Sequence, residues 1–592
     1  KYAMGNKNCS CANLTEPRDR FLYPMWVMPV GEALTLKEMV PHQVLGESGK
    51  IVRWVDGMIV IFVSHQWLGS SHPDKHMKQF SVLQEALRAL INGLVVKMCP
   101  FTAAVFSQLD SYLSPLECKK LAGAYIWYDF FSIPQITIRD DKKVQDPNTI
   151  LAVDSIPAYV AASDHFFVVA PMEEHEDTKA VVSLETWGRR GWCRVEMGAH
   201  YFSEKAKPAV ICITKPDRVV ETFPFAWLHN QPAQGDFTVE SDRPKIAKLM
   251  KEVCNDRITF VKKNGKDFEA RFLTAMLPWL TNDVGIRHGS LKQWLDLYGF
   301  SSPSQAGPLG WAPVHFAALE GNVEILRLLT DLGESVNRKT EEGDGPPLNT
   351  IDVGMQIPGM TPIMCAAFYI PRGDESIKVA EFLLRKRADL NLTCGGDETV
   401  LHLAAAGAAS DGKLVNFLVR SGADMEKLNG ANESPLLKAC FLCPAGSKFP
   451  NLQNVQELVR LGSSMTHATS VRPIHPTPLR VACGTGKAEE IQFLLDHRAD
   501  PDGKYDYLTK PVDFEMTPFP VYIRESSIKD CTEHLYGGTP LHWAAYFGNT
   551  MAVDILKRQA ATMDAKNYKG RTAGEVAKFE LHKSDVVEAF QV

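Results

Sequence analysis

The sequence lacks several features that would assign it to a class at once. It has no run of about 18 apolar residues, the length that a membrane-spanning helix requires, so no transmembrane segment is expected. No cleavable signal peptide is expected either, because the apolar stretch from Tyr23 to Val30 is short and is broken by two prolines. An excess of basic charge is also missing: 64 Lys and Arg face 70 Asp and Glu, giving a net charge of -6 that argues against nucleic-acid binding.

The cysteines do not show the regular paired spacing of a disulfide framework. The 13 cysteines are odd in number and follow no paired spacing, which favours reduced thiols and a cytoplasmic protein. One Cys-x-x-Cys pair, Cys440 and Cys443, has neither a second pair nor a His to complete a zinc site. His65, His72 and His76 also lack a completing ligand, and Pro73 interrupts their spacing. We therefore predict no metal site.

The sequence has enough residues for more than one hydrophobic core. Its 592 residues exceed what a single core normally supports, so two or more domains are expected. Hydrophobic residues make up 45% and charged residues 23%, which is ordinary for a folded protein.

A short pattern recurs six times after residue 307. The segments share a form close to Thr-Pro-Leu-His-x-Ala-Ala, and a Leu/Val-rich stretch follows each. Their first residues are Ala312, Thr361, Thr399, Ser434, Thr477 and Thr539. Thr or Ser caps a helix and Pro fits its first turn, while Gly321, Gly486 and Gly548 supply a left-handed residue at the helix end. The pattern predicts helix pairs that stack because no pair can bury its own apolar face.

This pattern resembles the ankyrin-repeat family. The resemblance implies an all-α solenoid of about six repeats, with Arg571 to Ala577 as a C-terminal cap, that binds a protein partner. The long insertion 503–537 is either a partner contact or a tolerated surface loop.

The N-terminal half has a different periodicity. Short apolar runs predict strands buried on both faces, and amphipathic stretches at 80–94 and 154–162 predict helices between them. The predicted strands are 59–63, 124–128, 166–169 and 210–213. This alternation predicts an α/β domain with a parallel sheet flanked by helices, in which ligands bind at the carboxyl ends of the strands.

Polar residues follow the predicted strands. His65, Gln66 and Trp67 follow the first strand, Asp129 follows the second, and a Trp-Cys-x-x-Glu element ending at Glu196 opens a later helix. With the Ile-Pro-x-x-Val-x-x-Ser-Asp segment at 156–164, this order resembles the TIR domain of innate-immune receptors and plant resistance proteins. Fungal incompatibility domains carry a similar arrangement.

The resemblance implies two alternative functions. Some TIR domains cleave NAD, which makes Glu196 the candidate catalytic residue and makes His65, Gln66, Trp67, Asp129 and Arg194 candidate ligand-binding residues, with NAD as substrate. Other TIR domains are adaptors that self-associate, in which case Trp192 and Cys193 anchor the core and Glu196 favours a helix N-terminus. If the domain is an adaptor, the ankyrin array recruits a partner; if it cleaves NAD, the ankyrin array controls or targets that activity.

The first residues carry a candidate lipidation signal. If Met4 is the initiator, Gly5 is placed for myristoylation, and Cys9 and Cys11 are placed for palmitoylation. The alternative is an ordinary disordered tail, so we expect membrane association only if this segment is acylated. The predicted organisation is a tail at 1–20, a TIR-like α/β domain at 21–286, a linker at 287–306 and the ankyrin array at 307–592.

Overall fold

A computed structural model describes most of the chain. The described residues are 21–94, 113–135, 137–139, 142–144, 146–205, 210–216, 218–222, 231–283, 290–341, 357–430, 432–441, 452–466, 476–503, 534–579 and 589–590. The tail 1–20, with Gly5, Cys9 and Cys11, lies outside the described residues, as do Cys443 and most of the predicted insertion 503–537.

The N-terminal half is built on a seven-stranded sheet with the spatial order β11-β10-β7-β3-β4-β1-β2. Two small hairpins, β5–β6 and β8–β9, stand outside it. The strands are β1 Trp26–Pro29, β2 Val52–Arg53, β3 Val60–His65, β4 Tyr125–Tyr128, β5 Thr137–Arg139, β6 Lys142–Val144, β7 His165–Val169, β8 Glu173–Glu174, β9 Val181–Val182, β10 Val210–Lys215 and β11 Arg218–Thr222.

The sheet is mixed, which corrects the prediction of a parallel sheet. The four predicted strands are its parallel centre, but β1, β2 and β11 add antiparallel pairings at the two edges. Only residues 216 and 217 separate β10 from β11, and so short a connection permits only antiparallel pairing. The parallel strands lie in the order β4, β3, β7, β10, the doubly wound order of flavodoxin-like folds, whose ligand crevice opens between the strands corresponding to β3 and β7.

Helices cover both faces of this sheet. They are α1 Val30–Ala33, α2 His42–Glu47, α3 Lys78–Ile91, α4 Pro115–Lys120, α5 Asp129–Ser132, α6 Pro147–Asp154, α7 Ile156–Ala162, α8 Leu184–Arg189, α9 Gly191–Tyr201, α10 Asp242–Lys263 and α11 Asp267–Thr281. The single helix predicted at 154–162 is divided between α6 and α7, because Pro157 has no amide hydrogen to continue the helical bonding.

The C-terminal half is a stack of helix pairs preceded by α12 Leu291–Tyr298. The pairs are α13 Pro313–Glu320 with α14 Val323–Asp331, α15 Pro362–Tyr369 with α16 Gly373–Arg385, α17 Val400–Ala406 with α18 Lys413–Arg420, α19 Pro435–Phe441 with α20 Leu452–Leu461, α21 Pro478–Thr485 with α22 Ala488–Asp496, and α23 Pro540–Phe547 with α24 Thr550–Arg558; α25 Ala573–Phe579 follows. A two-stranded hairpin, β12 Thr393–Cys394 and β13 Glu398–Thr399, lies before α17. Gly321, Gly486 and Gly548 have φ values of 76°, 76° and 74°, the left-handed conformation that the sequence predicts.

Helix α11 joins the two halves. The Trp279 indole nitrogen donates to the Leu319 carbonyl oxygen at 3.0 Å, and the Phe272 ring meets the Tyr369 ring with centroids 5.1 Å apart. Within the predicted linker, the Trp294 indole of α12 donates to Glu320 at 2.7 Å. One continuous apolar core therefore runs from the sheet through α11 into the helix pairs.

Candidate functional site

The candidate site is the carboxyl end of β3, next to the crevice between β3 and β7. Ser64 and His65 are the last two residues of this strand, whereas the sequence placed them after it. Alternate residues of a strand point to opposite faces. Val60 and Phe62 belong to the apolar core under α7 and α9, and Ile61 and Val63 to the core under α3. Ser64 consequently lies on the first face and His65 on the second.

On the first face, Ser64 joins two side chains from later in the chain. Its Oγ donates to Glu196 Oε2 at 2.5 Å and accepts from the Trp187 indole nitrogen at 2.9 Å. Ser64 and Trp187 are almost completely buried, while Glu196 is partly exposed. Glu196 thus has one oxygen held inside the protein.

The surroundings of Glu196 favour its neutral form. Burial is the main cause and raises its pKa to about 8, against the lowering effect of the Ser64 hydrogen bond. Repulsion from Asp129 raises this pKa further, while the charges on His65 and Arg190 lower it. Glu196 is therefore protonated for the most part at neutral pH.

On the second face, His65 is held at both ring nitrogens. Nε2 meets Asp129 Oδ1 at 2.9 Å, and Nδ1 lies 3.2 Å from both Gln79 Oε1 and the Tyr128 hydroxyl. The Tyr128 ring stacks on the imidazole with centroids 4.1 Å apart. These contacts fix both the position and the rotation of the imidazole.

His65 and Asp129 form an ion pair. Burial opposes the charge on His65, but the Asp129 carboxylate outweighs it and raises the histidine pKa. Burial likewise opposes ionisation of Asp129, but His65 and the Trp67 indole, which donates to Oδ2 at 2.7 Å, hold its pKa below the usual value. The Asp129 side chain is 29% exposed, so its ionised carboxylate is partly open to solvent.

Gln66 and Trp67 form the rim beside these groups. Gln66 Oε1 accepts from the Thr186 hydroxyl at 2.8 Å, which ties the rim to α8. Both side chains are partly exposed. The structure thus brings together five of the predicted residues: His65, Gln66, Trp67, Asp129 and Glu196.

Arg194 does not join them. Its guanidinium is buried and donates to the Gly188 and Gln231 carbonyl oxygens at 2.8 and 3.1 Å. Residues two positions apart in a helix point about 200° apart around its axis, so Arg194 and Glu196 leave opposite sides of α9. The structure therefore does not place Arg194 beside the other five predicted residues, and its hydrogen bond to Gly188 holds α8 against α9.

The other two loop histidines have local partners. The His72 ring lies 4.7 Å from the Phe130 ring and accepts the Asp74 amide hydrogen through Nδ1, and His76 Nε2 lies 3.8 Å from a Glu176 oxygen. No group of three or more potential metal ligands occurs among the residues that the structure describes.

Ser64, His65 and Asp129 are the residue types of a serine-hydrolase triad, but their geometry excludes that chemistry. In such a triad the serine hydroxyl bonds the imidazole. Here Ser64 Oγ bonds Glu196 and Trp187 on one face, whereas His65 lies on the other. Glu196 and Asp129 are therefore the groups through which the site can do acid–base or electrostatic chemistry.

Sequence reasoning missed the supporting residues Trp187, Thr186, Gln79 and Tyr128. They lie between 13 and 123 positions from their partners in the chain, so no local pattern connects them. One usable signal was the capping box of Ser183 and Thr186, which starts α8 just before the Trp-Cys-x-x-Glu element.

Comparison with known families identifies the helical array. A sequence model described as "Ankyrin repeats (3 copies)" matches residues 286–394, and one described as "Ankyrin repeat" matches residues 536–568. The chain therefore contains ankyrin repeats, as predicted. Neither of these two models extends into the α/β domain.

Two individual proteins are similar to parts of the chain. A Caenorhabditis elegans protein named "Transient receptor potential cation channel subfamily A member 1 homolog" is 24% identical over 215 residues, which are 35% of this chain and 16% of that protein. The chain thus matches a small fraction of this relative's length. The crystal structure of the human ASB11 ankyrin repeat domain is 22% identical, covers 48% of this chain and 97% of its own, and has a TM-score of 0.33. Within the described residues, no helix is long and apolar enough to cross a membrane.

Proposed function

We propose that the protein binds a protein partner through its ankyrin repeats and that its α/β domain is a TIR-like signalling domain. The ankyrin repeats carry the first part of this proposal, because stacked repeats present an extended surface suited to protein recognition. Large apolar side chains on this surface, such as Leu332, Met551 and Tyr568, are between 44% and 65% exposed.

A pair of matched variants tests partner binding. Leu332→Ser removes a 65% exposed leucine from the array, and Leu116→Ser removes a 64% exposed leucine from the α/β domain. We expect the Leu332→Ser chain to cross-link fewer proteins from cell extract than the unaltered chain, and the Leu116→Ser chain to cross-link the same proteins. Equal recovery with both variants would place the partner elsewhere.

A second function is favoured by two carboxyl groups at the crevice. Glu196 has a raised pKa and Asp129 a lowered one, although both lie at the same strand end. Carboxyl groups whose pKa values are separated in this way are the working pair of glycosidic-bond cleavage. Together with the resemblance to TIR domains, this pair supports hydrolysis of NAD at its nicotinamide–ribose bond.

The chemistry fits the charges of the site. When the bond breaks, both electrons leave with nicotinamide, and positive charge develops on the ribose, where a carboxylate stabilises it. A cationic pyridinium ring beside Glu196 lowers the pKa of this residue and favours its ionised form. Water then adds to the ribose carbon, and the proton that it loses passes to Glu196 and on to solvent.

Nicotinamide release from NAD by the purified full chain tests this function. Glu196→Gln is expected to remove turnover, because the amide can neither accept the proton nor carry the negative charge. Glu185→Gln is the matched control, since Glu185 is an exposed carboxylate on the neighbouring helix α8 that pairs with Arg189. No turnover by the unaltered chain, or equal turnover in both variants, contradicts the proposal and leaves the adaptor function.

The adaptor function makes a separate prediction. A TIR-like adaptor self-associates, so sedimentation of the full chain should depend on concentration. Sedimentation of the unaltered chain is compared with that of Ile150→Asp, which replaces a 52% exposed apolar residue of α6 by a charged one. Monomeric behaviour at all concentrations would exclude it.

A further inference from the structure

Trp187, Ser64 and Glu196 form a linear chain of hydrogen bonds. The Trp187 indole nitrogen lies 2.9 Å from Ser64 Oγ, and Ser64 Oγ lies 2.5 Å from Glu196 Oε2. Trp187 is 2% exposed and Ser64 is 1% exposed, so water does not compete for the first link.

The direction of these hydrogen bonds follows from their donors. An indole nitrogen can only donate, whereas a hydroxyl has one hydrogen to donate and can also accept. When Glu196 is ionised, its oxygens can only accept, so the Ser64 hydroxyl takes the indole hydrogen bond from Trp187 and donates its own hydrogen to Oε2. This donation favours the ionised form of Glu196.

We infer that Trp187 is a positioning residue that acts through Ser64, holding this hydroxyl so that it donates to Oε2 of the ionised Glu196 carboxylate. The assignment of Glu196 to chemistry on a nucleotide rests on the proposed hydrolase function. The hydrogen-bond chain from Trp187 to Glu196 does not.

The segment that carries Trp187 is built to hold it in place. Thr186, its neighbour on α8, donates to Gln66 at 2.8 Å, and Arg194 of α9 donates to the Gly188 carbonyl oxygen at 2.8 Å. Both links connect α8 to the elements that carry Ser64 and Glu196. The segment between β7 and α9 therefore supplies a supporting element of the site through Trp187 and Thr186.

The titration of Glu196 should depend on both Trp187 and Ser64. Asp129, His65 and Arg190 are the charged groups that act on it and are kept in every variant. Ser64 also contacts Cys193, but burial raises the pKa of that thiol and keeps it neutral. Ser64→Ala removes the donor to Oε2. Trp187→Phe removes the indole hydrogen bond that polarises and orients the Ser64 hydroxyl, which weakens its donation to the ionised carboxylate. Both variants should therefore raise the pKa of Glu196.

The test is a 13C NMR titration of the full chain labelled at the glutamate side-chain carboxyl carbon, with the Glu196 signal assigned by its loss in Glu196→Gln. We expect Trp187→Phe and Ser64→Ala each to raise the pKa by about one unit, the size expected for losing one hydrogen bond to a charged group. The double variant should titrate like Ser64→Ala alone, because Trp187 acts only through Ser64.

Trp127→Phe is the matched control. Trp127 is also buried in this domain, stacked on Phe62, but its indole nitrogen has no hydrogen-bond partner among the described residues. Trp127→Phe should leave the pKa of Glu196 unchanged. An unchanged pKa in Trp187→Phe, an equal shift in Trp127→Phe, or additive shifts in the double variant would overturn the inference.

Two further outcomes remain informative. If Trp187→Phe does not fold, Ser64→Ala tests the same chain with a minimal change in volume, and an unraised pKa in that variant also overturns the inference. NAD turnover is measured in parallel. A raised Glu196 pKa in the variants, with no turnover by the unaltered chain, supports the positioning role and rejects the hydrolase function. Turnover by the unaltered chain, with no change of pKa in the variants, supports the hydrolase function and rejects the positioning role.

Discussion

Ser64 and His65 are consecutive residues whose side chains leave β3 on opposite faces of the sheet, and each side chain contacts a different carboxyl group. Ser64 donates to Glu196, and His65 pairs with Asp129. One strand end thereby holds two carboxyl groups in different electrostatic surroundings. This arrangement explains how a single crevice keeps one carboxyl group neutral and the other ionised.

The raised pKa of Glu196 should make the free energy of unfolding fall as pH rises. Its pKa is about 8 in the folded protein and about 4.5 in the unfolded chain, so between these values the folded state keeps a proton that the unfolded state has lost. The resulting stabilisation is complete below pH 4.5, falls by about 1.4 kcal/mol per pH unit between the two values, and is absent above pH 8. Urea unfolding at several pH values measures it.

Glu196→Gln isolates this effect from the titration of other groups. Relative to the unaltered chain, the variant should become progressively more stable from pH 5 to pH 8, with no further change above. A constant difference over this range would mean that Glu196 titrates normally in the folded protein.

A buried ion pair fixes α10 against α11. Arg257 Nε donates to Glu269 Oε1 at 2.6 Å, and Arg257 also donates to the Ser203 carbonyl oxygen at 3.1 Å. Glu269→Gln leaves a buried guanidinium without its counter-charge and should cost about 3–5 kcal/mol in the free energy of unfolding. The exposed pair of Arg327 and Glu324 is the control, and Glu324→Gln should leave the free energy of unfolding nearly unchanged, because solvent screens this pair. Similar losses in both variants would contradict the burial argument.

Gly321 permits the close packing of Trp279 on the first repeat. Its φ is 76°, and an added Cβ would lie 2.9 Å from the Trp279 ring. Gly333 also has positive φ, at 96°, but has open space around it. We expect Gly333→Ala to cost about 1 kcal/mol from the backbone alone, and Gly321→Ala to cost about 2 kcal/mol more from overpacking. Thermal unfolding of the two variants compares them directly, and equal costs would show that the ring moves aside freely.

Gly191 sets the position at which α9 begins. An added Cβ would overlap the Phe237 ring, and the Gly191 amide donates to the Asp236 carbonyl oxygen at 3.1 Å. Gly191→Ala should therefore displace the start of α9. For the proposed hydrolase, we expect this change to lower NAD turnover at least tenfold, since a 1 Å displacement of a catalytic group can cost about a hundredfold. Gly123→Ala, with open space around Gly123, should retain turnover. Full turnover in Gly191→Ala would show that the loop around Phe237 adapts.

Much of this architecture could be predicted because it depends on local patterns. The four central strands were found from apolar runs, and the helix pairs from a repeated cap, an Ala pair and a closing glycine. The antiparallel edges were missed, since β1 and β2 are short and their pairing depends on distant partners.

The candidate site was predictable only in part. The sequence indicates which residues follow the strands, and in a parallel sheet those strand ends meet at one edge. It does not indicate that Trp187 reaches Ser64 across 123 positions, or that Arg194 turns away from Glu196. Such contacts depend on how α8 and α9 pack on the sheet, and no periodicity encodes this packing.

The shared core at α11 has a consequence for any division of the chain. This helix is covered by α10 on one side and by α13 on the other, so a cut between the α/β domain and the first repeat leaves Trp279 and Phe272 facing water on whichever fragment keeps them. A fragment that starts at the first repeat loses its end cap instead, and terminal repeats without a polar cap are poorly soluble. The α/β domain thus covers the open end of the first repeat, and separating the two halves would expose the apolar surfaces that meet at α11.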